Sequence, residues 1–253
     1  MKNISITITD AIAEIKLCRP HRMNAVTVDL LKELRESIDA VNLKDQINVI
    51  ILSGEGKAFC AGVDLRELEK NGTDVSSGGV GDLLDEHANG VIKTLEGSPK
   101  AVISKINGYC FTGGLEIALA ADLIYVAKDA KLGDTHAVLG FRPSWGLSQR
   151  LPRRVSLMRA KELSFTAQAI TGEQAKEYGL ALEVFPNEKL DEEVLSIAKR
   201  ISHNSPNSIK AYKDLYKAYQ NNGLKSGLEY ESTTSYEIPE VKKRVLDFLK
   251  RLR

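Results

Sequence analysis

Ile106-Asn107-Gly108-Tyr109-Cys110-Phe111-Thr112-Gly113-Gly114-Leu115-Glu116-Ile117-Ala118-Leu119-Ala120-Ala121-Asp122 is the stretch that decides how this chain is read. An apolar run before it, Ala101-Val102-Ile103, has the character of a buried strand. The Gly113-Gly114 pair marks a tight turn where backbone can approach a ligand closely. Leu115 to Leu123 is good helix material and carries one carboxylate, Glu116, in its first turn. Strand, glycine turn and helix start together set free N–H groups and a positive dipole end at one point. That point suits an anion, or an oxyanion formed during a reaction. An ordinary strand–turn–helix connection fits the same residues, so the Gly-Gly pair alone leaves both readings open.

A second glycine turn shifts the balance. Val49-Ile50-Ile51-Leu52-Ser53-Gly54 reads as a strand ending in a turn, followed by Lys57-Ala58-Phe59-Cys60-Ala61-Gly62-Val63-Asp64-Leu65. A helix is expected from Asp64 to Lys70. Two such turns can each lend one backbone N–H to a shared oxyanion hole, with Glu116 beside it.

Further out, the composition bounds the class. The 253 residues suffice for one large domain, or a domain with an appendage. Hydrophobic content of 43% and charged content of 27% are ordinary for a soluble globular protein. A net charge of +1 gives no field for nucleic acid or an anionic membrane. No apolar run approaches the roughly 20 residues of a membrane-crossing helix. The alternating N-terminal stretch Ile4 to Thr9 reads as a strand, without a signal-peptide core. Cys18, Cys60 and Cys110 are odd in number and lie in apolar settings. They read as buried free thiols of a reducing, cytoplasmic compartment, and no His/Cys spacing suggests a metal site.

The patterning places a hairpin over residues 4–17, a loop from Arg19 to Ala25, and an amphipathic helix that opens with Thr27-Val28-Asp29-Leu30 and runs to about Val41. Asn71 to Gly81 is Gly/Ser-rich and reads as a mobile loop before a helix over Leu83–Leu95. Leu123–Ala127 and Lys131–Gly133 are strands. Strands alternating with helices over residues 49–127 indicate βαβ units and a parallel sheet. A helix over 156–166, a Thr171-capped helix and a strand at Leu182–Phe185 follow. From Leu190 onward the chain reads as helix: 190–203, 206–222, 224–237, and Pro239–Leu252 with its proline at the start.

The two glycine turns, Glu116 and the later Gly140…Pro143…Gly146…Leu151 pattern resemble the crotonase, or enoyl-CoA hydratase/isomerase, superfamily. The resemblance runs in unbroken order from about Ile4 to Phe185 and weakens beyond. It implies an α/β fold: a crotonase-like spiral of ββα units over residues 1–189, with a C-terminal helical region over 190–253. That region would build a homotrimer or homohexamer and close over neighbouring sites; a helical cap on the chain's own core is the other reading.

By the same resemblance, the N–H groups of Val63 and Gly113 form the oxyanion hole, and Glu116 is the principal acid or base. The loop holding Arg22, Met23 and Ala25 would take the adenine end of coenzyme A. Lys57 and Arg66 would meet its phosphates, with Ala61, Asp64 and Leu65 alongside. A solvated face suits Arg22, Lys57 and Arg66 equally, and Asp64 suits a local turn or helix start. Coenzyme A enters as part of the substrate, so no separate cofactor is implied.

Two positions depart from the family. Thr112 stands where many members have a further glycine. His136 stands where many hydratases carry a second glutamate, so the pair is carboxylate plus imidazole, and a histidine titrates near neutrality. An Asp-Thr-His…Pro-x-Trp-Gly pattern, here Asp134 to Gly146, is similar to a branch of enoyl-CoA hydratase paralogues. A β-diketone-cleaving branch also has the histidine, but pairs it with an aspartate where Trp145 stands here. Trp145 replaces a small residue and is expected either to narrow the acyl pocket or to pack in the core. The expected reaction is reversible hydration of a 2-enoyl-CoA. The alternatives are isomerisation, decarboxylation or C–C hydrolysis, or acyl-CoA binding without turnover.

Overall fold

Val49–Gly54 and Ala101–Ile106 are buried along their whole length, as strands are when layers cover both faces. They lie at the centre of the main sheet in the computed structural model, which describes residues 3–251. The chain opens with the expected hairpin, β1 (Ile4–Thr9) and β2 (Ile12–Leu17), turning at Asp10 with φ 53°. Thr27 accepts the Leu30 N–H and caps α1 (Val28–Asn42), whose Leu30, Leu31, Leu34, Ile38 and Val41 are buried.

The chain then repeats one unit three times. The first is β3 (Val49–Gly54), β4 (Ala58–Cys60), α2 (Leu65–Lys70) and α3 (Asp82–Glu96). The second is β5 (Ala101–Ile106), β6 (Tyr109–Phe111) and α4 (Gly113–Leu119); the third is β7 (Leu123–Ala127), β8 (Lys131–Gly133) and α5 (His136–Leu139). After α6 (Leu147–Val155) and α7 (Leu157–Thr166) come β9 (Ile170–Thr171), α8 (Gly172–Glu177) and β10 (Glu183–Phe185). The last helices are α9 (Leu190–Ser202), α10 (Pro206–Asn221), α11 (Leu224–Thr233) and α12 (Val241–Arg251).

In each repeat the long strand joins a six-stranded sheet, ordered β1-β2-β3-β5-β7-β10. The short strand joins a four-stranded sheet, ordered β4-β6-β8-β9. Pairing is parallel except for β1 with β2 and β8 with β9. The result is the spiral of ββα units. Because β4 and β6 are parallel neighbours, the turns that follow them emerge at the same edge. Ligands of α/β folds bind outside such carboxyl ends.

Some elements depart from the sequence reading. β4, β6 and β9 have only two or three residues each, too few for periodicity to reveal. The basic stretch expected to lead into a single helix holds α6 as well, separated from α7 by Ser156 at φ 78°. Ser156 then caps α7 through the Arg159 N–H. The last helix begins at Val241, so Pro239 precedes it by two residues rather than opening it, and residue 252 lies outside the described residues. The glycine-rich segment 71–81 is tied down at one point by the Arg142 N–H donating to the Gly78 carbonyl at 2.8 Å.

Beyond residue 189 the helices differ in burial. In α9, Leu190, Val194 and Ala198 are buried. At its start Asp191 pairs with the buried Lys105 of β5, which also meets Glu14 at 2.9 Å. Across α10 to α12, Ala211 is the single buried residue among those described. Tyr212, Tyr216, Tyr219, Val245, Phe248 and Leu249 are exposed. Among the described residues no helix is long and apolar enough to cross a membrane.

One side chain fixes the corner where the first repeat crosses from one sheet to the other. Asn24 is fully buried at φ 56°, a left-handed conformation that asparagine tolerates. Its Nδ2 donates to the carbonyls of Glu55 and Ala58 at 3.0 and 2.7 Å, and its Oδ1 accepts the Arg19 N–H at 2.8 Å. Asn24→Ala strands those buried groups, so urea unfolding should show a loss of about 3 kcal/mol.

Candidate active site

The two glycine turns are in contact. A Cβ built on Gly62, where φ is +95°, would lie 3.2 Å from the Phe111 carbonyl and 3.0 Å from Thr112 Oγ1. One built on Gly114 would lie 2.2 Å from the Cys60 carbonyl oxygen, closer than any side chain permits. Both glycines are therefore required for the turns to meet. Between them stand the two N–H groups of interest. A parallel bridge joins Val26 to Val63, using the Gly62 carbonyl and the Asp64 N–H, which leaves the Val63 N–H unused. Gly113 opens α4, and Thr112 before it makes no side-chain cap. Among the described residues neither N–H has an acceptor.

Thr112 adopts φ 47° and ψ −114°, a conformation that favours glycine. It is held there by its own N–H to the Gly133 carbonyl at 3.0 Å and by Oγ1 against Thr135 Oγ1 at 3.0 Å. The threonine at this glycine position thus carries backbone strain that its hydroxyl partner helps to hold.

Glu116, only 2% exposed, points back toward the segment before α6. Its Oε1 accepts the N–H groups of Trp145 and Leu147, each at 3.0 Å. The other oxygen, Oε2, faces His136 Nε2 at 3.8 Å. On the far side of the imidazole, Nδ1 lies 2.6 Å from Asp134 Oδ1, which also accepts the His136 N–H at 3.1 Å. The order is carboxylate, imidazole, carboxylate. An ionised Asp134 fixes the ring with hydrogen on Nδ1 and turns the Nε2 lone pair toward Glu116.

Burial pushes the Glu116 carboxyl above the usual glutamate range; the Leu147 N–H, His136 and the Trp145 N–H offset part of the rise. Burial alone would raise Asp134 as well, but hydrogen bonds from His136 and Ser164 outweigh it and hold that carboxyl below its usual range. Burial pushes the Cys60 thiol up to about 12 and Cys110 well above its usual value. Neither thiol is poised as a nucleophile.

The expected coenzyme A residues divide into groups. A groove of about 620 Å³ is lined by Arg19, Arg22, Lys32, Arg66 and Lys70 among others, with Asp29 and Glu67 also on its wall. Arg22 and Arg66 are thus brought together there. Asp64 lies on the same wall, but its carboxylate is buried and paired with Arg19 at 3.0 Å, and it does not cap α2. The Arg19 guanidinium also donates to the Ala25 carbonyl, so this pair fixes the loop. The Met23 carbonyl accepts the Ala61 N–H at 3.0 Å, which ties that loop to the first glycine turn. Leu65 is 43% exposed at the start of α2. Lys57 stands on the exposed turn between β3 and β4, away from the groove lining. Trp145 is 2% exposed and packed on Gly113.

Asp134 and the Leu147 N–H are the groups that sequence reasoning missed. Asp134 had a local signal: an aspartate two residues before the histidine can accept that residue's own N–H in an Asx turn. Leu147 had none, since it meets Glu116 across 31 residues of sequence.

The raised Glu116 carboxyl has a consequence for stability. Between its unfolded and folded pKa the native state binds more protons than the unfolded one, so stability falls as pH rises through the folded value. Glu116→Gln removes that dependence. Its melting temperature relative to the parent should climb from pH 4 to pH 8 in scanning calorimetry; a constant difference across that range would contradict the buried-charge account.

The family model described as enoyl-CoA hydratase/isomerase matches residues 7–252. A crotonyl-CoA hydratase of Syntrophomonas wolfei is 32% identical over 229 residues, 90% of this chain and 85% of the relative. A peroxisomal Delta(3,5)-Delta(2,4)-dienoyl-CoA isomerase of Arabidopsis thaliana is 32% identical over 223 residues, 85% of this chain and 80% of the relative. The crystal structure of an enoyl-CoA hydratase from Bacillus anthracis superposes with a TM-score of 0.86 at 35% identity, covering 91% of this chain and 88% of that one. With nearly its whole length matched by the family model and its fold shared with that hydratase, the chain belongs to the enoyl-CoA hydratase/isomerase family.

Proposed function

We propose that this enzyme reversibly hydrates a 2-enoyl-CoA to a 3-hydroxyacyl-CoA. The observation that carries the reading is the pair of titratable side chains, Glu116 Oε2 and His136 Nε2, facing each other 3.8 Å apart, near two N–H groups that have no acceptor among the described residues. At that separation they do not satisfy one another, and both can reach a small molecule held to one side.

The thioester carbonyl accepts from the Val63 and Gly113 N–H groups, which stabilise the enolate as charge develops on oxygen. His136 Nε2, left as an acceptor by the Asp134 contact, takes a proton from water as its oxygen bonds to C3. Glu116, whose burial favours the protonated form, delivers a proton to C2. The proton on His136 then returns to Glu116, so the pair carries one proton between them at the start of each cycle. Asp134 is a positioning residue that acts through the imidazole. Arg22 and Arg66 supply positive charge to the coenzyme A phosphates along the groove, with Met23, Ala25, Ala61, Asp64 and Leu65 shaping the approach. Lys57 is a peripheral contact at most. A relative named as an isomerase makes a double-bond shift the competing chemistry, and that reaction leaves the substrate mass unchanged.

Self-association into a trimer or hexamer is supported by the exposed apolar residues of α10 to α12, since soluble chains seldom leave so many uncovered. A cytoplasmic setting is supported by free thiols at Cys18, Cys60 and Cys110.

Mass spectrometry of crotonyl-CoA after incubation should show the gain of one water; unchanged mass with a moved double bond would replace hydration by isomerisation. Glu116→Gln should lower kcat by several orders of magnitude and spare acyl-CoA affinity. His136→Ala should lose at least about tenfold, within the range of a positioned proton-transfer group. Parent-like rates for both variants would remove the pair from the mechanism. Light scattering should give a mass at least three times the 27.8 kDa of one chain; a monomer at micromolar concentration would refute the assembly.

A further inference from the structure

Asp85 lies in the first turn of α3, 60 residues before Trp145 in sequence. Its Oδ1 accepts the Trp145 indole Nε1–H at 2.7 Å and the Ser144 hydroxyl at 2.7 Å. Asn89, four residues further along α3, reaches the Ser144 carbonyl at 3.4 Å. The helix start favours a negative charge at Asp85. One carboxylate from a separate helix therefore sets the orientation of the indole and of the hydroxyl next to it.

The ring so held packs on the second glycine turn. A Cβ built on Gly113 would lie 2.4 Å from Trp145 Cζ3 and 3.1 Å from both Cε3 and Cη2, so the indole rests directly on the Gly113 α-carbon. The Trp145 N–H is one of the two donors to Glu116 Oε1. Coenzyme A would occupy the groove beside α2, on the Val63 side of the oxyanion hole. A thioester carbonyl held by the Val63 and Gly113 N–H groups, with coenzyme A in that groove, would send its acyl chain toward Gly113, Glu116 and the indole. Rotating the ring aside would separate its buried N–H from Asp85, a costly move.

We infer that Asp85 is a positioning residue that locks Trp145 across the acyl end of the site, and that the locked indole limits the enzyme to short acyl chains. The inference rests on the acyl-CoA reading above and adds to it the group that sets chain length. Ser144 and Asn89 brace the same segment from the α3 side.

Trp145 is the single tryptophan of the chain, so intrinsic fluorescence reports on this ring alone. Asp85→Leu should shift its emission to the red and increase quenching by acrylamide. Asp85→Asn keeps a carbonyl oxygen for both donors and should leave emission and quenching as in the parent. Calorimetry with saturated acetyl-, butyryl-, hexanoyl-, octanoyl- and decanoyl-CoA supplies the second readout. The parent should bind butyryl-CoA at least about tenfold more tightly than octanoyl-CoA, the scale on which a closed pocket rejects extra methylenes. Trp145→Ala and Asp85→Leu should both erase that preference, and Asp85→Asn should keep it. If Trp145→Ala does not fold, Asp85→Leu with its fluorescence carries the test.

Equal affinity of the parent for butyryl- and octanoyl-CoA would overturn the inference and leave the acyl-CoA reading standing. Unchanged emission and chain preference in Asp85→Leu would overturn the role of Asp85. No binding of any acyl-CoA, acetyl-CoA included, would sink the coenzyme A reading and this inference with it.

Discussion

The close approach of two backbones governs the rest of the structure. Gly114 lies so near the Cys60 carbonyl that a Cβ there would stand 2.2 Å from its oxygen. Gly62 lies against Phe111 and Thr112 in the same way. Where these chains meet, one turn offers the Val63 N–H and the other the Gly113 N–H. Parallel pairing of β4 with β6, with Cys60 opposite Cys110, brings the turns to one edge. The strands supply alignment; the missing side chains supply proximity. Neither is sufficient without the other.

The carboxylate–imidazole–carboxylate group is assembled beside that platform from three repeats of the spiral and the segment that follows. Glu116 belongs to the second repeat, and Asp134 and His136 to the third. The N–H groups that Glu116 accepts come from Trp145, before α6, and from Leu147 at its start, and the carboxylate that accepts the Trp145 indole N–H comes from the first repeat, through α3. Burial raises the Glu116 carboxyl, and Oε1 is taken by two main-chain donors, so the remaining oxygen is the one that can exchange a proton. The cost is a buried carboxylate, which is most unfavourable when ionised. Strain at Thr112 adds to the sense that local stability has been given up for a fixed geometry.

Much of this was legible in the sequence. The apolar runs Val49–Leu52 and Ala101–Ile103 read as buried strands because continuous apolar runs bounded by glycine and polar residues have few other uses, and the structure extends them to Gly54 and Ile106. The amphipathic spacing of α1, the Thr171 cap and the glycine turns are local signals, each determined by residues within one or two turns of chain. Family resemblance carried Val63, Gly113, Glu116 and His136 as a set. The short strands β4, β6 and β9 were not legible, because pairing with distant neighbours creates them rather than their own propensity. The break at Ser156, which splits one basic stretch into α6 and α7, gave no sign in composition.

Chemistry by residue type is what the sequence alone determined: an α/β chain with two glycine turns, a first-turn glutamate and a histidine in the segment after β8. Tertiary structure decided which atoms of those residues face one another. Asp134 turns the imidazole because the chain doubles back within three residues, and Asp64 meets Arg19 rather than capping its own helix. Trp145 is neither simply a core residue nor simply a pocket wall; its main chain serves Glu116, its ring lies on Gly113 and its indole nitrogen is held by Asp85. The Asp64 and Trp145 contacts join residues dozens of positions apart. Local propensity carries no record of them, because hydrogen-bond partners at that range are chosen by packing of the whole sheet and helix set, not by the neighbouring sequence.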